Sequence, residues 1–390
     1  MFTYNRTGTF VLCSASPEPF RAFMPHPLPP NPPVRLDEEH YDLMEKANQA
    51  LGRLDGVTML LPDIMHFLYF YVRKEAVLSS QIEGTQSSLS DLLLHEIEEA
   101  PGTPIDDIQE VSNYVAAMNH GLKRLREGFP LSLRLIREIH KELLSKGRGS
   151  AKEPGEFRRT QNWIGGTRPG NATFVPPPPD KVMECLSAFE KFLHDDPART
   201  PTLIKTALTH VQFETIHPFL DGNGRLGRLL ITFLLCVEGA LTEPMLYLSL
   251  YFKTHRQAYY DLLQKVRLEG DWESWLRFFL TGVWETANQA ATTAKQILTL
   301  FENDRRKIAK LGRTTSSVFN VHQVLQSKPI VSIQAAAQNS GLSIPTATTA
   351  LAHLQKLGVV REMTGRQRNR LFLYKKYLDI LNEGTEPLER

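Results

Sequence analysis

Residues 217–228 read His-Pro-Phe-Leu-Asp-Gly-Asn-Gly-Arg-Leu-Gly-Arg, and no other stretch restricts the chain so tightly. Pro218 cannot extend the helix expected through Val211 and Phe213, so the backbone must break there. Gly222, Asn223 and Gly224 tolerate the positive φ of a tight loop, and a new helix is expected to start near Gly224. Its first N–H groups have no helical partner and its dipole makes that end partly positive, which suits the turn to a phosphate. Arg225 and Arg228, three apart, share one face of the first turn. Two cations at the positive end of a helix are unfavourable unless an anion sits between them. Asp221 then has a use, because a carboxylate beside a polyphosphate is the usual protein ligand of Mg²⁺. His217, with an ordinary pKa of about 6.5, can accept a hydroxyl proton at neutral pH.

Taken singly, each part has a plain reading: a His-Pro helix boundary, a Gly-Asn-Gly turn, a solvated pair of arginines. In this order they resemble the signature of the Fic family, His-Pro-Phe-x-(Asp/Glu)-Gly-Asn-(Gly/Lys)-Arg-x-x-Arg, and match it at every defined position. The resemblance implies a protein adenylyltransferase that moves AMP from Mg·ATP to a Ser, Thr or Tyr hydroxyl of a target protein, itself included. Carried over by position, it makes His217 the general base, Asp221 the Mg²⁺ ligand and Gly222, Asn223 and Gly224 the backbone cradle. Arg225 would hold phosphates and Arg228 would meet the γ-phosphate, with Leu226 and Gly227 completing the ATP-binding stretch.

A second motif lies far upstream. A helix is expected from Asp63, with Pro62 in its first turn, to a C-cap at Gly84. It ends Ser79-Ser80-Gln81-Ile82-Glu83-Gly84, which puts Ser79 and Glu83 on one face. A glutamate is electrostatically misplaced at a helix C-terminus, and by itself would read as an ordinary solvated side chain. The string also resembles the Fic inhibitory motif, (Ser/Thr)-x-x-x-Glu-(Gly/Asn). That resemblance implies that Glu83 pairs with Arg228 and occupies the guanidinium needed by the γ-phosphate, as in the subclass with an N-terminal inhibitory helix.

Other stretches fall around these two. Residues 1–36 read as irregular, with Pro25 to Pro33 as an extended strap. Asp37 caps a helix expected to about Leu51, with Tyr41, Met44, Ala47 and Leu51 on its inner face. Amphipathic helices are expected over Asp107–Leu125 and Leu131–Leu144. Glycine-punctuated β-prone runs between Gly155 and Pro179 read as a hairpin. By family resemblance Ile164, Gly165, Gly166 and Thr167 form a flap over the ATP site, and Tyr259 contacts the nucleotide. Pro201 opens the helix leading to the motif, and the apolar run Leu229–Val237 is expected at the centre of a bundle. A long helix runs from about Asp271 to Ala309.

The last 75 residues read as three helices and two strand-like runs, the outline of a winged helix-turn-helix. Residues 301–390 hold 14 Lys and Arg against 7 Asp and Glu, while the rest of the chain holds 31 against 36. Such asymmetry points to an anionic partner. DNA is the expected one, met by Thr346, Thr348 and Thr349 on the recognition helix and Arg366, Arg368 and Arg370 in the wing; a protein-docking module is the alternative.

The fold class expected is mainly α: a Fic-type bundle with a β-hairpin flap and a C-terminal winged helix-turn-helix. The expected units are residues 1–105 (N-terminal helices with the inhibitory helix), 106–295 (catalytic core), 296–312 (linker) and 313–390. Cys13, Cys185 and Cys236 have no metal spacing, and with no signal-like or bilayer-length apolar run the chain reads as cytoplasmic and free of the membrane. The sequence leaves a homodimer open. Two rival functions also stay open: a Fic-like enzyme that transfers another phosphate-containing group or removes AMP, and a DNA-binding regulator that senses nucleotide.

Overall fold

Helices carry almost the whole core in the computed structural model, which describes residues 6–14, 18–59, 64–95, 105–365 and 370–388. An antiparallel pair, β1 (Gly8–Cys13) and β2 (Phe20–Pro25), precedes α1 (Glu38–Met59), α2 (Ile64–Ile82), α3 (Leu89–His95), α4 (Ile105–Arg126) and α5 (Leu133–Leu143). A long loop leads to α6 (Val182–Leu193), α7 (Thr202–Ile216), α8 (Asn223–Val237), α9 (Ser249–Thr254), α10 (Arg256–Glu269) and α11 (Trp272–Ile308). The chain ends with α12 (Thr315–Ser327), β3 (Ile330–Ser332), α13 (Ile333–Ser340), α14 (Ile344–Lys356), β4 (Arg361–Glu362), β5 (Leu371–Leu373) and α15 (Lys375–Asn382).

A helix without a polar face must be covered on all sides, and α7 and α8 are. Every residue from Leu203 to Ile216 is buried, and so is α8 from Arg225 to Leu235. They pack on each other, with α4 and α5 over α8 and α11 against α7. Tyr114 and Val111 on α4 are fully buried, as their spacing predicts, and α1 lies along α11. The turn between α7 and α8 is therefore held by rigid elements on both sides.

Several expectations need correction. Residues 8–13 and 20–25, read as irregular, form the β1–β2 pair, because Phe23 is buried and its N–H donates to Val175 O at 2.8 Å. The first helix continues past Leu51 to Met59, since its apolar stripe extends through the buried Leu54. Tyr41 is 58 % exposed and off the inner face, which is built by His40, Ala47, Ala50 and Leu51. Pro62 and Asp63 lie outside the described residues, but Gly84 does end its helix, with φ at +102°. Between Gly155 and Pro179 the backbone pairs only at Ile164 and Phe174, around a short 3₁₀ turn at Pro169–Asn171. Pro25 to Pro33, expected as an extended strap, instead bends at 28–29 and 31–32, with cis Leu28–Pro29 and Asn31–Pro32 peptides; it buries Leu28 and accepts the Gln212 amide at His26 O.

In the C-terminal stretch, β3, β5 and β4 form an antiparallel sheet in that order beside α12, α13 and α14. Ser332 and Ser343 cap α13 and α14, and Gly341 makes the left-handed turn between them. The strand expected over 359–363 is only two residues long. Val359 and Val360 are instead buried in the core. This region shares that core with the helices before it. Tyr374 donates to Asp304 of α11 at 2.7 Å, Tyr377 meets Phe70 of α2 edge-on, and Asn382 donates to Ser90 at 2.7 Å. The tail that follows reaches the end of α2, where Gln81 donates to Thr385 O at 2.8 Å. No helix among the described residues is long and apolar enough to cross a membrane.

Candidate active site

His217 ends α7 in a left-handed conformation, φ 48° and ψ 60°, which turns the chain sharply before Pro218. A non-glycine residue is held there only when its surroundings over-determine it. They do: Arg158 Nε and Asn162 Nδ2 both donate to His217 O, at 2.9 and 3.1 Å, and Arg158 also reaches Pro177 O. The next residues are fixed in the same manner. Asn223 closes the turn on Phe219 through both its amide atoms, at 2.9 Å each. His140 stacks on Phe219, accepts Gly155 N–H at Nδ1 and so donates from Nε2 to Asp221 O. Gly222, at φ +76°, then starts α8. The signature is thus a rigid loop whose helix N-terminus opens into a cavity of about 710 Å³.

Of the residues singled out from sequence, His217, Asp221, Gly222, Asn223, Gly224, Arg225 and Arg228 line that cavity, joined by Glu83, Ile164, Gly165 and Tyr259. Leu226 and Gly227 point inward instead, Leu226 fully buried and Gly227 against Glu214 and Phe213. Gly166 and Thr167 lie further out, in a turn closed by the Asn171 side chain. Tyr259 is buried and its hydroxyl is bonded to His210 Nε2 at 2.8 Å, while Tyr260 beside it is 37 % exposed.

The two motifs meet. Arg228 donates from Nε to Ser79 Oγ at 2.8 Å and from Nη2 to Ser79 O at 3.0 Å and Glu83 Oε1 at 2.7 Å. Burial alone would raise the Glu83 carboxyl, but the charge and hydrogen bond of Arg228, with Arg225 and His217 beyond, hold it below its ordinary value. Arg225 is engaged too, with Nη1 3.2 Å from Glu110 on α4. Burial, reinforced by the Arg267 and Arg158 guanidiniums, pushes His217 down to about 3. Its imidazole is therefore neutral at pH 7, with a lone pair to offer.

Asp221 takes its own neighbour's N–H, Gly222, at 2.6 Å and lies 3.9 Å from Arg225 Nη2. No group of three or more His, Cys, Asp or Glu that could hold a metal occurs among the described residues. One half-buried carboxylate at the cavity, that of Asp221, suits Mg²⁺, which binds through one or two carboxylates, substrate phosphates and water.

Sequence reasoning missed Glu110, Glu214 and Arg267, which all line the cavity. Glu214 stands three residues before His217, so helical spacing alone could have found it. Glu110 and Arg267 come from α4 and α10 and carry no local mark. In the C-terminal stretch, Thr346 and Thr349 are exposed, although the Thr348 and Thr349 hydroxyls bond back to Ile344 O and Pro345 O. Arg370 is half-buried over Phe372, and Arg366 and Arg368 lie outside the described residues.

Comparison with known proteins agrees with the geometry. Residues 41–123 match the Fic/DOC family N-terminal model and residues 130–235 the Fic/DOC family model. The chain is 32 % identical over 247 residues to "Protein adenylyltransferase Fic" of Aedes aegypti, covering 62 % of this chain and 46 % of that protein. It is 30 % identical over 272 residues to the protein of the same name from Drosophila grimshawi, covering 69 % and 52 %. The chain thus spans about half the length of these curated relatives. A Fic family protein from Desulfovibrio desulfuricans G20 shares the fold, with a TM-score of 0.59 at 19 % identity over 88 % of this chain and 97 % of that one.

Proposed function

We propose that the chain is a protein adenylyltransferase that transfers AMP from ATP to a Ser, Thr or Tyr hydroxyl of a target protein, and that Glu83 restrains it. The observation that carries this reading is the convergence on one cavity of the His217 imidazole, a helix N-terminus and the Arg225 and Arg228 guanidiniums. Those groups suit attack on a polyphosphate. The target hydroxyl oxygen attacks the α-phosphorus as His217 takes its proton, and the bond to the β-phosphate oxygen breaks so that pyrophosphate leaves. Bound Mg²⁺, held by Asp221, would neutralise phosphate charge. The amides at the start of α8 and the Arg225 and Arg228 guanidiniums stabilise the charge that develops.

Restraint follows from the same geometry. Glu83 pairs with the guanidinium that the terminal phosphate would need, so a triphosphate must displace the carboxylate to bind in register. Ile164 and Gly165 at the cavity rim are suited to hold an extended target segment by strand addition. Residues 313–390 are read as a winged helix-turn-helix whose exposed Thr346 and Thr349 and basic loop suit DNA phosphates. Incubating the Glu83→Gly protein with α-labelled ATP and lysate tests the proposal: labelled protein supports it, and no labelled protein with any nucleotide refutes it.

A further inference from the structure

Glu214 is the one carboxyl beside His217 that the reading above leaves idle. It sits on the last turn of α7, with its side chain 7 % exposed and Oε2 3.9 Å from His217 Nδ1. Among the described residues, neither Nδ1 nor Glu214 Oε1 meets a hydrogen-bond partner in full geometry, both atoms are buried, and the Glu214 backbone carbonyl is the other acceptor that bears on the ring. A buried polar atom without a partner is costly unless it finds one at some stage of the protein's work, and the Glu214 carboxylate is the acidic group that lies 3.9 Å from Nδ1, through Oε2. The pocket holding the carboxyl is also kept open: a Cβ on Gly227 would lie 2.6 Å from Glu214 Oε1. With Nδ1 buried, Nε2 is the nitrogen left to the cavity.

We propose that Glu214 is a positioning residue for the general base: it takes the Nδ1–H of His217, keeps the proton off Nε2, and stabilises the imidazolium formed when the target hydroxyl gives up its proton. This rests on the reading of His217 as that base. The proton moves from the hydroxyl to Nε2 as the new oxygen–phosphorus bond forms, and Nδ1–H then closes on the carboxylate. The need for a counter-charge is plain from the surroundings. The imidazole faces the Arg267 and Arg158 cations, with Glu83 further off, all in a buried setting that disfavours a positive ring. The Glu214 carboxyl faces Arg228, Glu83 and Arg267, and burial pushes it up to about 7. It becomes anionic in the neutral range, where a base held this low gains most from a neighbouring anion.

The test compares Glu214→Gln and Glu214→Asp, each in the Glu83→Gly protein, by AMP transfer across pH 5 to 9. Glu214→Gln is expected to lower kcat by about 10- to 100-fold, leave the KM for ATP within about twofold, and abolish the rise of kcat through the neutral range. Glu214→Asp should restore part of the rate and keep the rise. A kcat and profile unchanged in Glu214→Gln overturn the proposal. Should that variant not fold, ¹⁵N-histidine spectra of the Glu83→Gly protein decide, with His217 assigned by its loss in His217→Asn. Nδ1–H is the expected tautomer, and Nε2–H overturns the idea. If the Glu83→Gly parent transfers nothing, the adenylyltransferase reading fails and the tautomer remains the test of Glu214.

Discussion

Glu83 Oε1 lies 2.7 Å from Arg228 Nη2, and so close over the first turn of α8 that a Cβ on Gly224 would come within 2.3 Å of it. The carboxylate therefore sits where that helix end best stabilises an anion. Two motifs more than a hundred residues apart are joined there by one buried cation.

Removing that carboxylate is expected to speed AMP transfer. A hydrogen bond to a charged group contributes about 1.5–3 kcal/mol, so Glu83→Gly should raise labelling roughly 10- to 100-fold. Ser79→Ala, which removes only the Nε contact, should raise it less. The pH dependence has a definite sign. Arg228 overcomes the effect of burial and keeps Glu83 below its ordinary 4.5, so the ion pair is fully formed above that value and is lost only as pH falls through the lower folded one. Labelling by the unaltered protein should not climb between pH 5 and 9 through loss of this pair. An equal rate in Glu83→Gly would make the contact incidental.

His217→Ala should cost roughly 10²- to 10⁴-fold in transfer, the usual worth of general-base help. ATP affinity, measured by calorimetry in the Glu83→Gly protein, should hardly change, because Arg225, Arg228 and the α8 amides are untouched. Retained labelling would mean that another group takes the proton.

How much of this was legible in the chain depends on how local each signal is. The loop at 217–228 was, because its breaks and charges are set by residues next to one another. Glu83 was, but only through resemblance to the inhibitory motif, since its place at a helix end by itself reads as an ordinary solvated side chain. The strands β1 and β2 were not: Phe10 and Leu12 are exposed while Phe23 is buried by Phe174 and Val175, partners 150 residues away. Nor was Glu110, since nothing in α4 announces that Arg225 will meet it. Nor was the partner of Tyr259, which lines the cavity while His210, on another helix, holds its hydroxyl.

Glu75, fully buried beneath Ser79, is expected to make stability depend on pH. Burial, opposed by hydrogen bonds from Ser249, pushes its carboxyl up to about 7. A raised carboxyl contributes most below its unfolded value and loses that contribution as pH rises through about 7. The loss is up to about 3 kcal/mol. Glu75→Gln cannot ionise, so the Tm of the unaltered protein should fall relative to this variant between pH 5 and 8. A constant difference would mean that Glu75 does not titrate there.

The tail after α15 is expected to steady Glu83. Gln81, two residues before Glu83, donates to both Ser87 O and Thr385 O at 2.8 Å, and Lys253 donates to Gly384 O at 3.0 Å. The Gln81 bond fastens the end of α2 to Thr385 and the Lys253 bond fastens the same tail to α9, while Arg228 holds the end of α2 from the other side. Ending the chain at Asn382 removes the first fastening and leaves the catalytic loop untouched. With net bonds of about 0.5–1.5 kcal/mol each, amides of Ser79 to Glu83 should exchange roughly tenfold faster in hydrogen-exchange mass spectrometry. Labelling should rise in parallel, though less than in Glu83→Gly, and the truncation should add nothing once Glu83 is gone. Faster exchange with no rise in labelling would show that the end of α2 can loosen while Arg228 keeps its carboxylate.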